Sequence, residues 1–448
     1  MSRVIQKLKN YKKACDIFDI FYDEKDAVFL DSSLENNMGN YSIIGLNPYL
    51  NMKVKNGSLY INGNLNNLSF EQYLKEYLDE NFEENETDFP IISGAIGYLS
   101  YDYGRKIENI STKHKGRIVP ECIFNFYDNF IIEDIKNRNT YIIGNGINKD
   151  PYISVNEIEE IILNSKDYSY KNKIGYDISI KPNFQKEEYK STIDKMIKYI
   201  IEGDIYIANM TQQLKVKSEK APYDMFKTLR KDNPSPFGGY MNYGDFQIIS
   251  ASPERFLRMK DSIVNTRPIK GTRPRGSNIE EDNKMKNELK NSEKDKSELL
   301  MIVDLERNDL NKVCEKGTVV VDELFTVEEY ATVFHLVSDI RGKLKKGLNT
   351  ADLIKAAFPG GSITGAPKIR AMEIIDELEN KSRGIYTGSL GYISLDGSCD
   401  LNIIIRTALY KDKNYYLGVG GGITCESDLE FEYEETLQKA KALLEAMK

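Results

Sequence analysis

Histidine and cysteine are scarce in this chain, which limits the metal and redox chemistry open to it. Only two of its 448 residues are histidine, and the five cysteines are scattered without a CxxC pair. An odd number of dispersed cysteines argues against both a zinc site and a disulfide framework. We therefore expect the protein to work in a reducing cytoplasm.

Long apolar runs and an excess of positive charge are also lacking. No segment approaches the ~20 apolar residues that cross a bilayer, and the N-terminal segment lacks the apolar core and cleavage site of a signal peptide. The formal net charge is −8, whereas nucleic-acid and membrane-surface proteins are usually basic. We expect neither a nucleic-acid partner nor a membrane partner.

The nucleotide-binding signatures GxGxxG and GxxxxGK[ST] are missing as well, so neither a Rossmann nor a P-loop fold has support. What is present is an alternation of strand-like runs and helix-like segments. The apolar spacing over 186–202, followed by Gly203, predicts one helix. The charged stretch 279–316 predicts one long helix, and 428–447 a final one. We predict an α+β fold with large mixed or antiparallel sheets flanked by helices.

The chain divides at a polar, lysine-rich stretch of weak periodicity. We predict an N-terminal region over 1–163, a linker over 164–182 and a C-terminal domain over 183–448. The first region carries short strand-like runs separated by Asn/Gly turns. The second carries the motifs that suggest chemistry.

Three glutamates have the character of ligands for a hard cation. Glu432 and Glu435 are three residues apart on the final predicted helix and share one face, while Glu298 lies far away in sequence. Carboxylates without histidine or cysteine suit Mg²⁺. The alternative is that these acids are solvated or paired with cations. The nearby glycines Gly420, Gly421 and Gly422 would let backbone N–H groups approach an anion.

Two further residues stand in apolar surroundings. His335 lies between apolar neighbours in VFHLVSDI, and Arg406 ends the β-branched run in IIIRTA. A buried, hydrogen-bonded histidine is an alternative to a catalytic one. A buried arginine must find an anion, which is either a glutamate of the protein or a carboxylate of a substrate.

The segment TRPIKGTRPRG places Lys270 between prolines, glycines and arginines. Three interpretations are open from these residues alone. The loop binds phosphate or nucleic acid through Arg267, Lys270, Arg273 and Arg275, or Lys270 pairs with an acid such as Glu254, or its amine is a nucleophile. The net charge argues against the first.

Eight motifs taken in order carry a family resemblance: SPERF, TRPIKGTRPRG, ELLMIVDLERNDL, VFHLVSDI, FPGGSITGAPK, YTGSLGYIS, IIIRTA and GGGIT…EYEET. Together they resemble the chorismate-utilising enzymes, and LDSSLENNMGNYSIIG and SGAIGYLSYDYGR extend the likeness into 1–163, which is similar to the N-terminal region of anthranilate synthase component I. The resemblance implies the chorismate-utilising enzyme fold, with the chorismate-binding catalytic domain over 183–448.

The resemblance also implies roles for individual residues. Glu298 and Glu435 match the Mg²⁺ ligands of the family, and Glu432 matches a companion acid. Glu254 matches the general acid that protonates the departing C4 hydroxyl of chorismate, and His335 matches a histidine beside the ring. The positions matching those that hold the substrate are Thr364, Lys368, Tyr392, Arg406, Gly420, Gly421 and Gly422.

Lys270 distinguishes branches of the family. By resemblance, the enzymes that make 4-amino-4-deoxychorismate for 4-aminobenzoate and folate read PIKGT, and other members usually read PIAGT. The lysine implies a covalent adduct that ammonia displaces, for which its amine must be neutral; Arg267 and Arg273 are candidates for the cation that lowers its pKa. The water-adding members carry a lysine near the position of Ile207, and this chain has none between Gly203 and Gln213. The alternative activity is anthranilate synthesis.

The resemblance finally implies two binding partners. No cysteine lies in a GxCxG-like turn, so ammonia is expected from a separate glutamine amidotransferase subunit in a heterodimer. Relatives hold tryptophan in a pocket formed by segments matching LDSS and NPSPF. The corresponding residues are Ser32, Pro234, Ser235 and Phe237. Such a pocket holds tryptophan as a feedback inhibitor or as a fixed structural ligand.

Overall fold

The computed structural model describes residues 3–34, 38–114, 116–165, 175–330 and 333–448. The fold is α+β, as predicted, and all strand pairings given for these residues are antiparallel. Within the described ranges, no helix combines the length and the apolar character needed to cross a membrane.

The strands form one branched sheet. They are β1 Val4–Lys7, β2 Val28–Asp31, β3 Tyr41–Lys55, β4 Ser58–Ile61, β5 Asn64–Asn66, β6 Gly94–Leu99, β7 Cys122–Asp134, β8 Asn139–Gly144, β9 Ser179–Pro182, β10 Ile207–Lys217, β11 Phe237–Asn242, β12 Phe246–Ser252, β13 Arg255–Lys260, β14 Ile263–Thr266, β15 Ile269–Pro274, β16 Val320–Glu329, β17 Val333–Lys343, β18 Gly365–Ala366, β19 Ser389–Ser394, β20 Cys399–Asn402, β21 Thr407–Lys411 and β22 Asn414–Ile423.

Two arms of the sheet leave β3 in different directions. One arm runs β3–β2–β11–β12–β21–β22–β10. The other runs β3–β7–β6–β19–β20–β13–β14–β17, and β17 also pairs with β15 and β16. Both arms therefore begin in the N-terminal region and end in the C-terminal domain.

The helices within the described ranges are α1 Ala14–Phe21, α2 Phe70–Glu80, α3 Tyr101–Ile107, α4 Pro151–Asn164, α5 Lys186–Ile201, α6 Pro222–Asp232, α7 Ile279–Asn291, α8 Glu293–Val313, α9 Thr350–Ala357, α10 Lys368–Leu378 and α11 Leu429–Ala446. The single long helix predicted over 279–316 is wrong. Ser292 ends α7 in an extended conformation, and its hydroxyl accepts from the N–H of Asp295 to cap α8, as serine commonly does at an N-cap.

Apolar packing joins the two predicted regions. One buried cluster combines Met52 and Phe124 from the N-terminal strands with Val303 of α8 and Leu336 of β17. A second combines Val28 and Ile96 with side chains of β12 and β21. Residues 166–174 of the predicted linker lie outside the described residues, and its last four residues form β9, which pairs with β10.

Candidate active site

Lys270 lies on β15 at a break in the register of its pairing with β17. The pairing shifts between Lys270 and Thr272, and the intervening Gly271 has a φ of +72°, a conformation that favours glycine. The Lys270 Nζ donates a hydrogen bond of 3.2 Å to the backbone carbonyl of Ser362. Across the cleft, a Cβ added to Gly422 of β22 would lie 3.6 Å from that amine. The ends of the two sheet arms thus meet at Lys270.

Two acids lie near this amine. Burial raises the pKa of Glu254 and the pKa of Glu298, and the positive charge of Lys270 opposes the rise in both. Glu254 is 7% exposed, and within the described part of the chain its Oε1 has no hydrogen-bond partner. A buried carboxyl with an unsatisfied oxygen favours the protonated form, which is the form that a general acid needs.

The arginines around Lys270 form ion pairs with carboxylates of the protein. Arg267 forms ion pairs with Glu323, Glu328 and Asp339. Arg273 pairs with Glu288 and Asp295, and Arg275 pairs with Asp282. The charges of these three arginines are thus balanced by carboxylates of the protein.

The three predicted metal-ligating glutamates flank the glycine strand β22. A Cβ added to Gly421 would lie 2.7 Å from Glu435 Oε2 and 3.1 Å from Glu432 Oε2, so both carboxylates of α11 pack against this glycine. Glu298 of α8 is close enough to Glu435 for that carboxylate to raise its pKa. The structure therefore brings these acids from two helices to one side of the cleft.

Other groups already engage part of this carboxylate set. Lys439 Nζ donates to Glu435 Oε2 at 2.6 Å and to the carbonyl of Gly420 at 2.9 Å. The Ser427 hydroxyl donates to Glu432 Oε1 at 2.8 Å. Among the residues that the structure describes, no three His, Cys, Asp or Glu side chains converge closely enough to hold a metal ion. The all-oxygen donor set fits Mg²⁺, which commonly takes one or two carboxylates and keeps several waters.

His335 lies close to Arg406, and Arg406 lies close to Glu254. The His335 ring is 4% exposed, and its Nδ1 lies 2.9 Å from the Thr272 hydroxyl. Burial, with the nearby charge of Arg406, lowers the pKa of His335 to about 4. The imidazole is therefore neutral at physiological pH.

Arg406 remains open to solvent and has a φ of +48°, which is unusual for a residue with a side chain. Over the described ranges its guanidinium forms no ion pair within 4.0 Å. Surrounding protein lowers its pKa, and Glu254 partly offsets this effect. A strained, unpaired cation in a cleft is suited to bind an anion.

Two residues predicted to bind substrate have polar groups that other parts of the protein already engage. The Thr364 hydroxyl donates to the carbonyls of Gly360 and Gly361. Lys368 is 6% exposed, and its Nζ is held by Asp309 and the carbonyl of Ala357. The structure does not bring these polar groups into the cleft as free binding groups.

Tyr392 lies on β19 and lines a separate cavity of about 190 Å³. Ser32 and Phe237, predicted for a tryptophan pocket, line the same cavity. The other two predicted pocket residues, Pro234 and Ser235, are not among its lining residues. Ser235 is buried, and its carbonyl accepts from the Ser33 hydroxyl at 3.2 Å. Ser33 is the neighbour of Ser32, so Ser235 contacts the segment that lines the cavity.

Tyr386, another tyrosine of the same motif, packs against the glycine strand β22. A Cβ added to Gly418 of β22 would lie 2.0 Å from Tyr386 Cγ and 2.3 Å from its Cδ1. Burial raises the pKa of Tyr386, and Glu435 and Glu254 add to the effect. Both tyrosines belong to the motif YTGSLGYIS. Tyr386 lies in the loop before β19, which begins at Ser389, and Tyr392 lies within that strand.

Asn209 is a second residue that sequence reasoning missed. Its Nδ2 donates at 3.0 Å to the Ser362 carbonyl that also accepts from Lys270. It stands opposite Gly422 in the pairing of β10 with β22. Its motif, IANMTQQ, contains no residue type that is distinctive for catalysis, so only the strand pairing identifies it.

The chain is similar to known proteins over most of its length. Residues 25–445 match the family described as chorismate binding enzyme. Anthranilate synthase component 1 of Aquifex aeolicus is 35% identical over 431 residues, which is 91% of this chain and 86% of the relative. Aminodeoxychorismate synthase component 1 of Bacillus subtilis is 36% identical over 420 residues, covering 91% and 89%.

A solved structure agrees in fold. The crystal structure of anthranilate synthase component I from Streptococcus pneumoniae superposes with a TM-score of 0.82 at 31% identity, covering 92% of this chain and 93% of that one. A family match over most of the chain, relatives above 30% identity and a shared fold lead to one conclusion. This chain belongs to the chorismate binding enzyme family.

Proposed function

We propose that this protein is component I of an aminodeoxychorismate synthase, which converts chorismate and ammonia to 4-amino-4-deoxychorismate and water. Relatives with this activity and with anthranilate synthase activity have similar identity to the chain, so overall likeness does not choose between them. The observation that carries the proposal is the position of Lys270. Its amine faces the glycine strand between Glu254 and Glu298.

The chemistry assigned to Lys270 is nucleophilic. The neutral amine attacks C2 of chorismate, the ring double bonds shift, and the C4–O bond breaks. Glu254 gives its proton to the departing oxygen, and water leaves. Ammonia then attacks C4, the double bonds shift back, and the Lys270–C2 bond breaks. Dividing one difficult substitution into two easier ones is the usual benefit of covalent catalysis.

The remaining residues orient the substrate. Arg406 is the unpaired cation for a substrate carboxylate, and Tyr386 closes the cleft beside Gly418. Neutral His335 supplies a polar contact without adding charge. Ser362 and Asn209 hold the amine in place through the shared carbonyl. Bidentate or convergent contacts of this kind fix a near-attack geometry.

We further propose that Glu298 and Glu435 hold Mg²⁺, with Glu432 bound directly or through water. When bound, the ion would neutralise a carboxylate of chorismate. Burial raises the pKa of Glu298 and of Glu432, and the charge of Glu435 adds to both shifts; a divalent cation would relieve this repulsion. Lys439 would have to release Glu435 or share it with the ion.

The source of ammonia is proposed to be a separate glutamine amidotransferase subunit. The cavity lined by Tyr392, Ser32 and Phe237 is proposed to hold tryptophan, either as a regulator or as a fixed ligand. A cytoplasmic location stays a prediction from the cysteine pattern.

An assay with purified protein, chorismate, Mg²⁺ and ammonium tests the activity. The expected product is 4-amino-4-deoxychorismate without pyruvate; fluorescent anthranilate with an equal amount of pyruvate would show the alternative. Without ammonia, the peptide containing Lys270 should gain the mass of chorismate less one water. Lys270→Ala should bind chorismate but lose the adduct and most amination. Lys294→Ala, which removes a cation near Glu298, is the matched control and should keep both.

A further inference from the structure

A lysine contacts one of the proposed metal-ligating acids directly. Lys439 lies on α11, one helical turn after Glu435, and its Nζ donates to Glu435 Oε2 at 2.6 Å. The same Nζ donates to the backbone carbonyl of Gly420 on β22 at 2.9 Å. The side chain therefore leaves its own helix and joins a carboxylate of α11 to the glycine strand.

The second bond distinguishes this contact from an ordinary helix pair. A glutamate and a lysine four residues apart on a helix often pair at the surface, and such pairs contribute little to stability. Here the bond to Gly420 fixes the ammonium where the acids meet the strand. A Cβ added to Gly421 would lie 2.7 Å from Glu435 Oε2, 3.1 Å from Glu432 Oε2 and 3.7 Å from Lys439 Nζ. Two carboxylate oxygens and the ammonium thus surround one glycine.

The position of the ammonium conflicts with a divalent ion on Glu435. Mg²⁺ is bound in proteins by oxygen ligands such as the carboxylate that Lys439 engages. An ion bound to that carboxylate would lie within a few ångströms of the ammonium, and like charges at this distance repel each other even near a protein surface. The contact seen for Lys439 and a close ion on Glu435 are therefore alternatives.

Lys294 of α8 is a cation near the same acids without such a contact. Burial raises the pKa of Glu298 and of Glu432, and the charge of Lys294 opposes both rises. Lys294 is exposed, and within the described ranges it forms no ion pair within 4.0 Å. It shares the electrostatic environment of the acids and leaves their oxygens free.

We propose that Lys439 is an internal competitor of Mg²⁺, whose ammonium must leave Glu435 before the ion binds there. The inference rests on the metal site of the proposed function. Lys439 offsets the repulsion between Glu432 and Glu435 and thereby lowers the affinity of these acids for the ion. Because the same ammonium holds the carbonyl of Gly420, its departure also releases the glycine strand from α11.

Direct binding of a divalent cation, measured without chorismate, tests the competition. The probe is Mn²⁺, which suits carboxylate ligands as Mg²⁺ does and whose free form gives an electron paramagnetic resonance signal; Mg²⁺ is then added as a competitor. In Lys439→Gln the dissociation constants of both ions should fall by about 3- to 10-fold. An exposed ion pair accounts for up to about 5-fold of this, and the loss of like-charge repulsion adds to it.

The variants are expected to fold, because the Lys439 side chain is 46% exposed, and a thermal melt checks this. If Lys439→Gln is unstable, Lys439→Met replaces it, since methionine is a good helix former. Lys439→Arg keeps the charge and should bind the ions no more tightly than the wild type.

Two controls separate the contact from the general field. Lys294→Gln removes one positive charge near the same acids and should change the dissociation constants much less than Lys439→Gln. In a Glu435→Gln background, Lys439→Gln should have little further effect, because the shared carboxylate is already gone.

Weaker or unchanged binding in Lys439→Gln would overturn the proposal, since a lysine that orients Glu435 for the ion would give the first result and a bystander the second. Equal tightening in Lys294→Gln would also overturn it. No Mn²⁺ binding in any variant would overturn the metal site and this inference together. The products are identified separately. Formation of anthranilate would refute the proposed activity and leave the binding result standing, because the titration contains neither chorismate nor ammonia.

Discussion

Replacing Gly421 with alanine should weaken Mg²⁺ binding while leaving the fold largely intact. The new methyl carbon would lie 2.7 Å from Glu435 Oε2 and 3.1 Å from Glu432 Oε2, closer than carbon and oxygen normally approach. Both carboxylates are the mobile ends of side chains, so they will move instead of the strand. The folding cost should therefore stay below about 1 kcal/mol, under the usual range for overpacking.

Displaced carboxylates bind a cation less well. Changes that disturb the groups orienting metal ligands typically cost ~10–100-fold in affinity, or about 1.4–2.7 kcal/mol. We expect the Mg²⁺ concentration for half-maximal chorismate turnover to rise by that factor, with a small change in Tm. The assay is a Mg²⁺ titration of initial rate beside a thermal melt.

The two neighbouring glycines provide controls of different character. Alanine at Gly420 would place Cβ 2.4 Å from the Met210 carbonyl oxygen, a backbone contact between β22 and β10, so this variant should lose ~3 kcal/mol of stability. Alanine at Gly422 meets Asn209 and Ile207 at a tolerable 3.3 Å and should mainly raise the KM for chorismate. If the folded Gly421→Ala variant kept wild-type Mg²⁺ dependence, the α11 glutamates would not be the metal site.

Three further predictions address single groups. Glu435→Gln should reduce Mg²⁺-dependent turnover at least 10-fold, measured by the same titration, and an unaltered titration would remove Glu435 from the site. Arg406→Gln should raise the KM for chorismate by ~10–100-fold, about 1.4–2.7 kcal/mol for a lost charged hydrogen bond, while a near-neutral result would mean that the substrate carboxylates bind elsewhere. Because the pKa of Glu306 is about 8 in the fold, against an ordinary 4.5, the folded state holds more protons than the unfolded state between these values. Wild-type stability should therefore fall as pH rises from about 5 to 8, by up to about 1.4 kcal/mol per pH unit, and chemical denaturation of Glu306→Gln should give a flatter dependence.

Local pattern was sufficient to predict much of this architecture. Helical spacing over 186–202 gave α5 Lys186–Ile201, and Gly203 marked its end. The predicted helix at 279–316 failed at Ser292, because one serine both ends α7 and caps α8, and no turn sequence separates the two helices. The overall α+β class, with helices around antiparallel sheets, follows from these local signals together.

Side-chain direction was the harder problem. Tyr392 and Tyr386 are six residues apart in one motif, and which of them reaches the cleft depends on the pairing of β19 with β6 and β20. The motif around Lys368 predicts a substrate-binding residue. In the fold, however, its amine is bound by Asp309, 59 positions away. Such long-range partners leave no local trace in a single sequence.

Ion pairs divide the basic segment 266–276 into arginines that are balanced and a lysine that is not. Arg267, Arg273 and Arg275 are each balanced by carboxylates on neighbouring elements. Lys270, within the described residues, makes its hydrogen bond to a carbonyl and has no ion pair within 4.0 Å, and Arg406 on the opposite side is likewise unpaired. The fold thus neutralises the arginines that shape the loop and leaves Lys270 and Arg406 without an ion pair. The proposed roles need this, because an amine held by a carboxylate is a poor nucleophile and a guanidinium held by one cannot bind the carboxylate of a substrate.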